Sequence, residues 1–321
     1  MALLLRLAPT TATMTTTTTR RSLLRVRALS SSTSFSGMEI IESVQEFHDV
    51  RRQFPAGTTV GFVPTMGGLH AGHLSLVRAA KQKCDVVAAS VFVNPTQFGP
   101  NEDYSKYPRT FDSDMALLRS EGVDYVFVPS ADAMYSKHHR CYVTPEGFDD
   151  LPEGRCRPGH FRGVATVVTK LFNVVQPTHA FFGQKDAAQC VLIKRLVEDL
   201  NMDIQVEVVP VCREQDGLAL STRNQYLSKE ERAAAPAVYR GLRIAKEQFA
   251  AQADATVSAE SIRSIIRDEY EAEPLIKEIQ YISIGSKETM EEIEEIRTDE
   301  GAIISVALKL GNCRLIDTIT L

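Results

Sequence analysis

Two histidines three residues apart, His70 and His73, stand in the run PTMGGLHAGH at residues 64–73, between an apolar run and the start of a helical pattern. A helix start presents free N–H groups and the positive end of its dipole, and Gly67, Gly68 and Gly72 allow the backbone to come close to an anion. Imidazoles at i and i+3 share one side of the first turn, so both can donate to phosphate oxygens as charge builds during a reaction. Phosphate is the expected guest. Packing or capping histidines are the alternative, and zinc is disfavoured because no third ligand follows at a suitable spacing.

Three further segments offer complementary chemistry. FFGQKD, residues 181–186, again joins an apolar run to a helical one, which places Lys185 at the carboxyl edge of a sheet, where open α/β folds bind ligands. Its ammonium can neutralise phosphates as a point charge, unless it is simply a solvated lysine. In DGLALSTRN, residues 216–224, the hydroxyls of Ser221 and Thr222 adjoin the guanidinium of Arg223. That set suits a polyphosphate, although an interdomain linker with a capping serine reads equally well. Asn94 and Gln97 in VNPTQF, with Gln189 one turn into the helix after Lys185, can read a small hydroxy acid by hydrogen bonds beside the phosphate loops.

Groups so far apart in sequence need a scaffold that gathers them. The run VVAASVFV within residues 85–93 is apolar throughout, as expected of a strand covered on both faces in a parallel sheet. With the apolar run at 60–63 and the helical stretch at 74–83 it makes a βαβ unit. The alternation continues through a helix at 112–120 capped by Thr110 or Asp112, a strand at 125–128, a helix at 164–175, a strand at 180–182, a helix at 187–200 and a strand at 204–211. Residues 38–211 thus predict an α/β fold, a Rossmann-like doubly wound parallel sheet. Beyond Cys212 a polar loop and a charged helical region reaching about residue 270 precede the short strand runs IQYISI, IISVAL and CRLIDTI. Residues 212–321 therefore predict a smaller α+β C-terminal domain, a lid or a dimerisation domain. The run EEIEEI at 291–296 is expected to be a solvated helix face.

Composition narrows the partners. With 36 basic and 41 acidic residues the net charge is -5, which gives no general attraction to nucleic acid or to an anionic membrane. The apolar runs fall well short of the roughly 20 residues that cross a bilayer. Cys84, Cys141, Cys156, Cys190, Cys212 and Cys313 show neither CxxC pairs nor flanking histidines, so a reducing compartment fits best. Residues 1–37 differ from the rest: Arg6, Arg20, Arg21, Arg25 and Arg27 lie in a Ser/Thr-dense tract with no acid before Glu39. That is the composition of an organellar transit peptide, while a start at Met38 would give a cytosolic form.

PTMGGLHAGHLSLV, VFVNPTQFGPNEDYSKYPRT, RPGHFRGVATVVTKLFNVVQP, FFGQKD and DGLALSTRN, in this order, resemble the pantothenate synthetase family of the HxGH nucleotidyltransferases. The likeness runs from Met38 to Leu321. It implies ATP and Mg²⁺, pantoate and β-alanine as substrates, homodimers, and two half-reactions joined by a pantoyl adenylate. In that family's pattern Met66, Gly67, Gly68, Leu69, His70, Ala71, Gly72 and His73 form an ATP loop, with His70 and His73 binding phosphate and His73 as proton donor. Gly183, Gln184, Lys185 and Asp186 form a second ATP segment, and Leu220, Ser221, Thr222 and Arg223 a third. Cys212 marks the strand end whose main chain would hold adenine. Gln97 and Gln189 match pantoate contacts, Gln97 also lying near β-alanine, while Asn94 and His160 match motif positions. Thr222 departs from the family's usual serine but keeps the hydroxyl. Two rivals remain: an HxGH nucleotidylyltransferase acting on a phosphate-bearing acceptor, and a non-catalytic nucleotide-binding protein. The amides Asn94, Gln97 and Gln189 disfavour the first, and the presence of His70, His73, Lys185 and Arg223 the second.

Overall fold

Strands that are apolar on both faces belong in the middle of a layered fold, and the computed structural model places them there. It describes residues 37–100, 102–252 and 255–321, so the transit-like leader lies, up to residue 36, outside the described residues. The first elements are β1 (Glu39–Ile41), α1 (Val44–Arg51), β2 (Val60–Thr65), α2 (Ala71–Lys83), β3 (Val86–Val91), α3 (Phe111–Ser120) and β4 (Tyr125–Phe127). Short helices α4 (Ala131–Met134) and α5 (Pro152–Cys156) lead to α6 (His160–Val175), β5 (His179–Gly183), α7 (Ala187–Asp199) and β6 (Gln205–Val209). The six strands form one parallel sheet in the order β1-β4-β3-β2-β5-β6.

Side chains alternate across this sheet with period two. Phe62 and Phe182 join one core with Phe47 of α1, Phe172 of α6 and Ile193 of α7. Val63 and Phe181 point to the other face, against Val77 and Ala80 of α2 and Met115 and Leu118 of α3. The chain leaves β2 for β3 in one direction and β5 for β6 in the other, so the strand order reverses between β2 and β5. A crevice opens at the carboxyl ends of strands flanking such a switch point. Here it is wide, because β2 pairs with β3 along its whole length but with β5 only at Gly61 and Phe62. Pro64, which cannot donate to a ladder, falls beyond the last pair with β5.

The C-terminal segment adds α8 (Lys229–Ala234), α9 (Ala237–Ala250), β7 (Thr256–Ser258), α10 (Ala259–Glu271), β8 (Ile276–Gly285), β9 (Glu295–Arg297), β10 (Ile303–Leu310) and β11 (Cys313–Thr320). An antiparallel sheet in the order β11-β10-β8 packs Ile284, Ile304 and Val306 against Leu242 of α9 and Ile262, Ile266 and Tyr270 of α10. The architecture is Rossmann-like with C-terminal antiparallel sheets. One local expectation is overturned: the Glu-rich run at 291–296 is not a helix. Glu292 bridges Gly285, and β9 pairs with β7 so that fully buried Ile296 faces Val257. Tertiary pairing outweighs the helix propensity of glutamate here.

Candidate active site

The turn after β2 and the turn after β5 meet at the crevice. Its lining includes Met66, His70, Gly72 and His73 from the first, Gly183, Lys185, Asp186 and Gln189 from the second, and Cys212, Leu220, Ser221, Thr222 and Arg223 from the loop beyond β6. Asn94, Gln97 and His160 complete one wall. Gly67, Gly68, Leu69, Ala71 and Gln184 lie outside that lining.

Helix α2 begins in a way that fixes both imidazoles. His70 is its N-cap: Nδ1 of His70 accepts the Gly72 N–H at 3.1 Å, and Nδ1 of His73 accepts the His70 N–H at 3.4 Å. With both Nδ1 atoms accepting, each ring carries its proton on Nε2. Burial lowers the pKa of His70 to about 4, helped by the nearby Lys185 charge, and burial lowers that of His73 to about 3, helped by His70 and Lys185. Both rings are therefore neutral hydrogen-bond donors at neutral pH.

The glycines serve a different purpose from the one their position suggests. Gly67 and Gly68 have φ of +83° and +64°, a conformation other residues rarely adopt. Yet the amides of this turn are occupied by an internal anion. The buried carboxylate of Asp114, from the first turn of α3, accepts the Gly68 N–H at 2.9 Å, the Leu69 N–H at 2.8 Å and the Thr110 hydroxyl at 3.1 Å. Thr110 thus stands at the N-cap position of α3, with its hydroxyl on Asp114 rather than on a helix amide. A Cβ on Gly68 would collide with the Thr222 methyl, while the Thr222 hydroxyl donates to the Gly68 carbonyl at 3.0 Å. The glycine loop thus docks two protein segments, and the histidine Nε2–H groups are donors that it leaves for an outside anion.

Lys185 stands in the turn between β5 and α7, with Nζ 3.2 Å from Oδ2 of Asp186. Burial opposes the charge on Asp186, but the Lys185 cation and its hydrogen bond outweigh burial and hold that carboxyl below its usual range. Arg223 forms a two-point pair with Asp103, at 3.0 and 2.8 Å. Arg157 forms another with Glu102, at 2.7 and 2.9 Å, and donates to Nε2 of His160 at 2.9 Å. The opposite ring nitrogen of His160 donates to the Gln97 carbonyl at 2.9 Å. Burial, then Arg157, lower the His160 pKa to about 4, so this ring too is neutral.

The amide wall is built with equal definition. Asn94 is 1% exposed, and its Nδ2 donates to Oε1 of Gln97 at 2.9 Å and to the Gly163 carbonyl at 3.2 Å. Its Oδ1 accepts from the Tyr135 hydroxyl at 2.8 Å. Asn94 orients Gln97 rather than facing the pocket as a free amide. Gly163 permits this, since a Cβ there would collide with the Thr96 carbonyl oxygen. Near Cys212 the main chain is engaged as well, its carbonyl accepting the Leu220 N–H at 2.9 Å.

Lys185, Arg157 and Arg223 face a single lining carboxylate, Asp186, among the described residues, so the walls suit a polyanion. Against that geometry, the family model described as pantoate-beta-alanine ligase matches residues 39–320. The chain belongs to the pantoate-β-alanine ligase family. A pantothenate synthetase of Chloroflexus aurantiacus is 50% identical over 280 residues, 87% of this chain and 97% of that protein. The crystal structure of pantothenate synthetase from Thermus thermophilus superposes with a TM-score of 0.81 at 43% identity, covering 88% of this chain and 99% of that one. A pantoate-β-alanine ligase from Francisella tularensis, crystallised with beta-gamma ATP and beta-alanine, gives 0.71 at 35% identity over 88% and 97%. Membership of the pantoate-β-alanine ligase family makes this chain a ligase.

Four site residues escaped the reading of motifs: Asp103, Glu102, Arg157 and the buried Tyr107, which lines the crevice beside Arg223. The signal was present, because NEDYSKYPRT and RPGH both lie in segments that carry the likeness to the ligase family. The three neutral histidines also give a prediction. Their folded pKa values lie below the ordinary 6.5 of an unfolded chain. Between those values the unfolded state binds more protons, so stability rises with pH in this window and falls as pH drops from about 6.5 toward 4. Urea midpoints should be clearly lower at pH 5 than at pH 7.5. An unchanged midpoint would show that the rings are charged, or exposed, in the folded protein.

Proposed function

We propose that the chain condenses pantoate with β-alanine through a pantoyl adenylate, using ATP and releasing AMP and diphosphate. The observation that carries this reading is the pairing, in one crevice, of a donor and cation wall (His70, His73, Lys185, Arg223) with an amide wall (Gln97 oriented by Asn94, and Gln189). The relative crystallised with beta-gamma ATP and beta-alanine supports the same assignment.

The pantoate carboxylate is already ionised at neutral pH and needs no base. As one of its oxygens bonds to the α-phosphorus, charge accumulates on the phosphate oxygens, where two neutral Nε2–H donors and two cations stabilise it. The bond to the bridging oxygen breaks and diphosphate leaves. The β-alanine amine then bonds to the acyl carbon, loses a proton and displaces AMP. Mg²⁺ belongs to the reading as a companion of ATP. No group of three or more His, Cys, Asp or Glu among the described residues is placed to hold an ion. The donor set fits an ion that arrives on phosphates, with Asp186 as the carboxylate that would hold it. It would neutralise triphosphate charge. The reading also includes a homodimer, a nucleotide- and pantoate-binding part at 38–211 with a lid at 212–321, and organellar import of forms that carry the leader.

Transfer of a nucleotide to a phosphate-bearing acceptor is the second reading, and Arg157, which lines the crevice and is paired with Glu102 as Arg223 is with Asp103, is the further cation that it would use. Incubation with ATP, pantoate and β-alanine decides between them: AMP must appear only when both acids are present, and a stable nucleotidylated product would sink the proposal. Gln97→Ala and Gln189→Ala should each raise the KM for pantoate by roughly 10-fold, about what an unpaired polar group costs, and leave ATP affinity near normal. An effect confined to ATP would reassign these amides.

A further inference from the structure

The third segment to touch the cation-bearing loops is not in the crevice at all. Strand β11 runs behind both. The Thr318 hydroxyl donates to the Lys185 carbonyl at 3.0 Å, Nε2 of Gln184 donates to the Thr320 hydroxyl at 2.6 Å, and Sγ of Cys313 lies 3.4 Å from the Arg223 carbonyl. None of these three strand residues lines the crevice.

Thr318 is the most firmly seated of them. It is 1% exposed, opposite Ser305 in the β10–β11 ladder. Its N–H donates to Oδ1 of Asp317 at 2.7 Å, and its carbonyl accepts from Arg213 at 3.2 Å. Asp317 and Arg213 are in turn joined at two points, 2.6 and 2.9 Å. The hydroxyl is therefore delivered by a backbone fixed on both sides. The Lys185 turn has its own ties, since the Gln184 N–H reaches the Val209 carbonyl, the Asp186 N–H reaches Gly183 and the Asp186 carbonyl accepts the Cys190 N–H, but none of these holds the Lys185 carbonyl. The Lys185 carbonyl is held from the C-terminal side.

We propose that Thr318 is a positioning residue for Lys185, through which the C-terminal strand sets where the lysine cation stands relative to the reacting phosphate. A lysine stem is flexible, so the root of the side chain must be fixed if a point charge is to meet a developing charge in the right place. A small displacement of such a group costs rate steeply, up to about 10²-fold for 1 Å. Because Thr318 does not line the crevice, its influence must pass through Lys185 and should appear only in the step that Lys185 serves.

This inference rests on the reading of Lys185 as an adenylation residue, so the test measures the two half-reactions separately. Thr318→Val replaces the hydroxyl with a methyl of nearly the same volume, and Thr318→Ser keeps the hydroxyl. Single-turnover diphosphate release, with ATP and pantoate, should fall by roughly 10-fold or more in Thr318→Val and return to near normal in Thr318→Ser. Conversion of supplied pantoyl adenylate by β-alanine, per folded protein, should be unchanged in both. Equal losses in the two half-reactions, or normal diphosphate release in Thr318→Val, would overturn the proposal. If Thr318→Val does not fold, Thr318→Cys carries the decision with a weaker donor: it must fall below Thr318→Ser in adenylation while matching it in adenylate conversion, and parity in adenylation overturns the proposal. Lys185→Ala in the same assays separates the two ideas. Normal adenylation there removes the role of Lys185 itself, whereas impaired adenylation there alongside normal Thr318→Val removes only that of Thr318.

Discussion

Replacing His73 with alanine should slow adenylate formation by roughly 10²- to 10³-fold, as for loss of one preorganised donor to a charge that develops in the transition state, and His70→Ala should act comparably. The way α2 starts sets this effect. Both Nδ1 atoms accept main-chain N–H groups, so both Nε2–H bonds are preset before any ligand arrives. Donors that need no reorganisation contribute most when charge appears, and less to ground-state binding. ATP affinity should therefore fall by a much smaller factor than the rate of single-turnover diphosphate release. The pH profile supplies an independent check. With pKa values held at about 4 and about 3, neither ring titrates between pH 6 and 8, so adenylation should show no inflection near 6.5 from either histidine. An inflection there that vanished in His73→Ala would make His73 an acid with an ordinary pKa, and would overturn its description as a neutral donor.

The scaffold for these donors was legible because local pattern and tertiary environment agree. Runs such as VGFVPT and VVAASV are apolar on both faces and can lie only inside a covered parallel sheet, and they became β2 and β3. Strand β1 leaves no signal in the sequence, since three residues with two exposed carry no period. The run at 291–296 departs from the expected helix because glutamate favours helix only locally, while Ile293 and Ile296 are claimed by the C-terminal core. In the site, residue types were legible and their commitments were not. Gly68 and Leu69 look like phosphate ligands until Asp114, more than forty residues on, is seen to occupy their amides. Asn94 reads as a ligand contact, but its nitrogen serves Gln97 and Gly163. Arg223 reads as a free cation, yet the two-point pair with Asp103 keeps it aligned and charged beside the crevice. Hydrogen bonds between distant segments leave no trace in spacing.

Lys185→Ala should lower ATP-dependent adenylation by roughly 10²-fold or more, while supplied pantoyl adenylate should still react with β-alanine at a near-normal rate. The lysine faces the HxGH segment across the switch point between β2 and β5, and its charge lowers the pKa of both histidines, so it lies within their electrostatic reach. In the proposed reaction, charge on the α-phosphate and on departing diphosphate builds only in the first half-reaction. The second forms an amide and releases AMP with no new charge on diphosphate. Lys185→Arg should rescue poorly: it keeps the cation, but a wide planar fork replaces a compact ammonium in a turn already packed against Asp186 and, through its carbonyl, against Thr318. Measuring both half-reactions on one preparation decides the matter. If Lys185→Ala left adenylation intact and abolished conversion of supplied adenylate, the lysine would belong to amide formation, and the positive wall of the crevice would have to be reassigned to Arg223 alone.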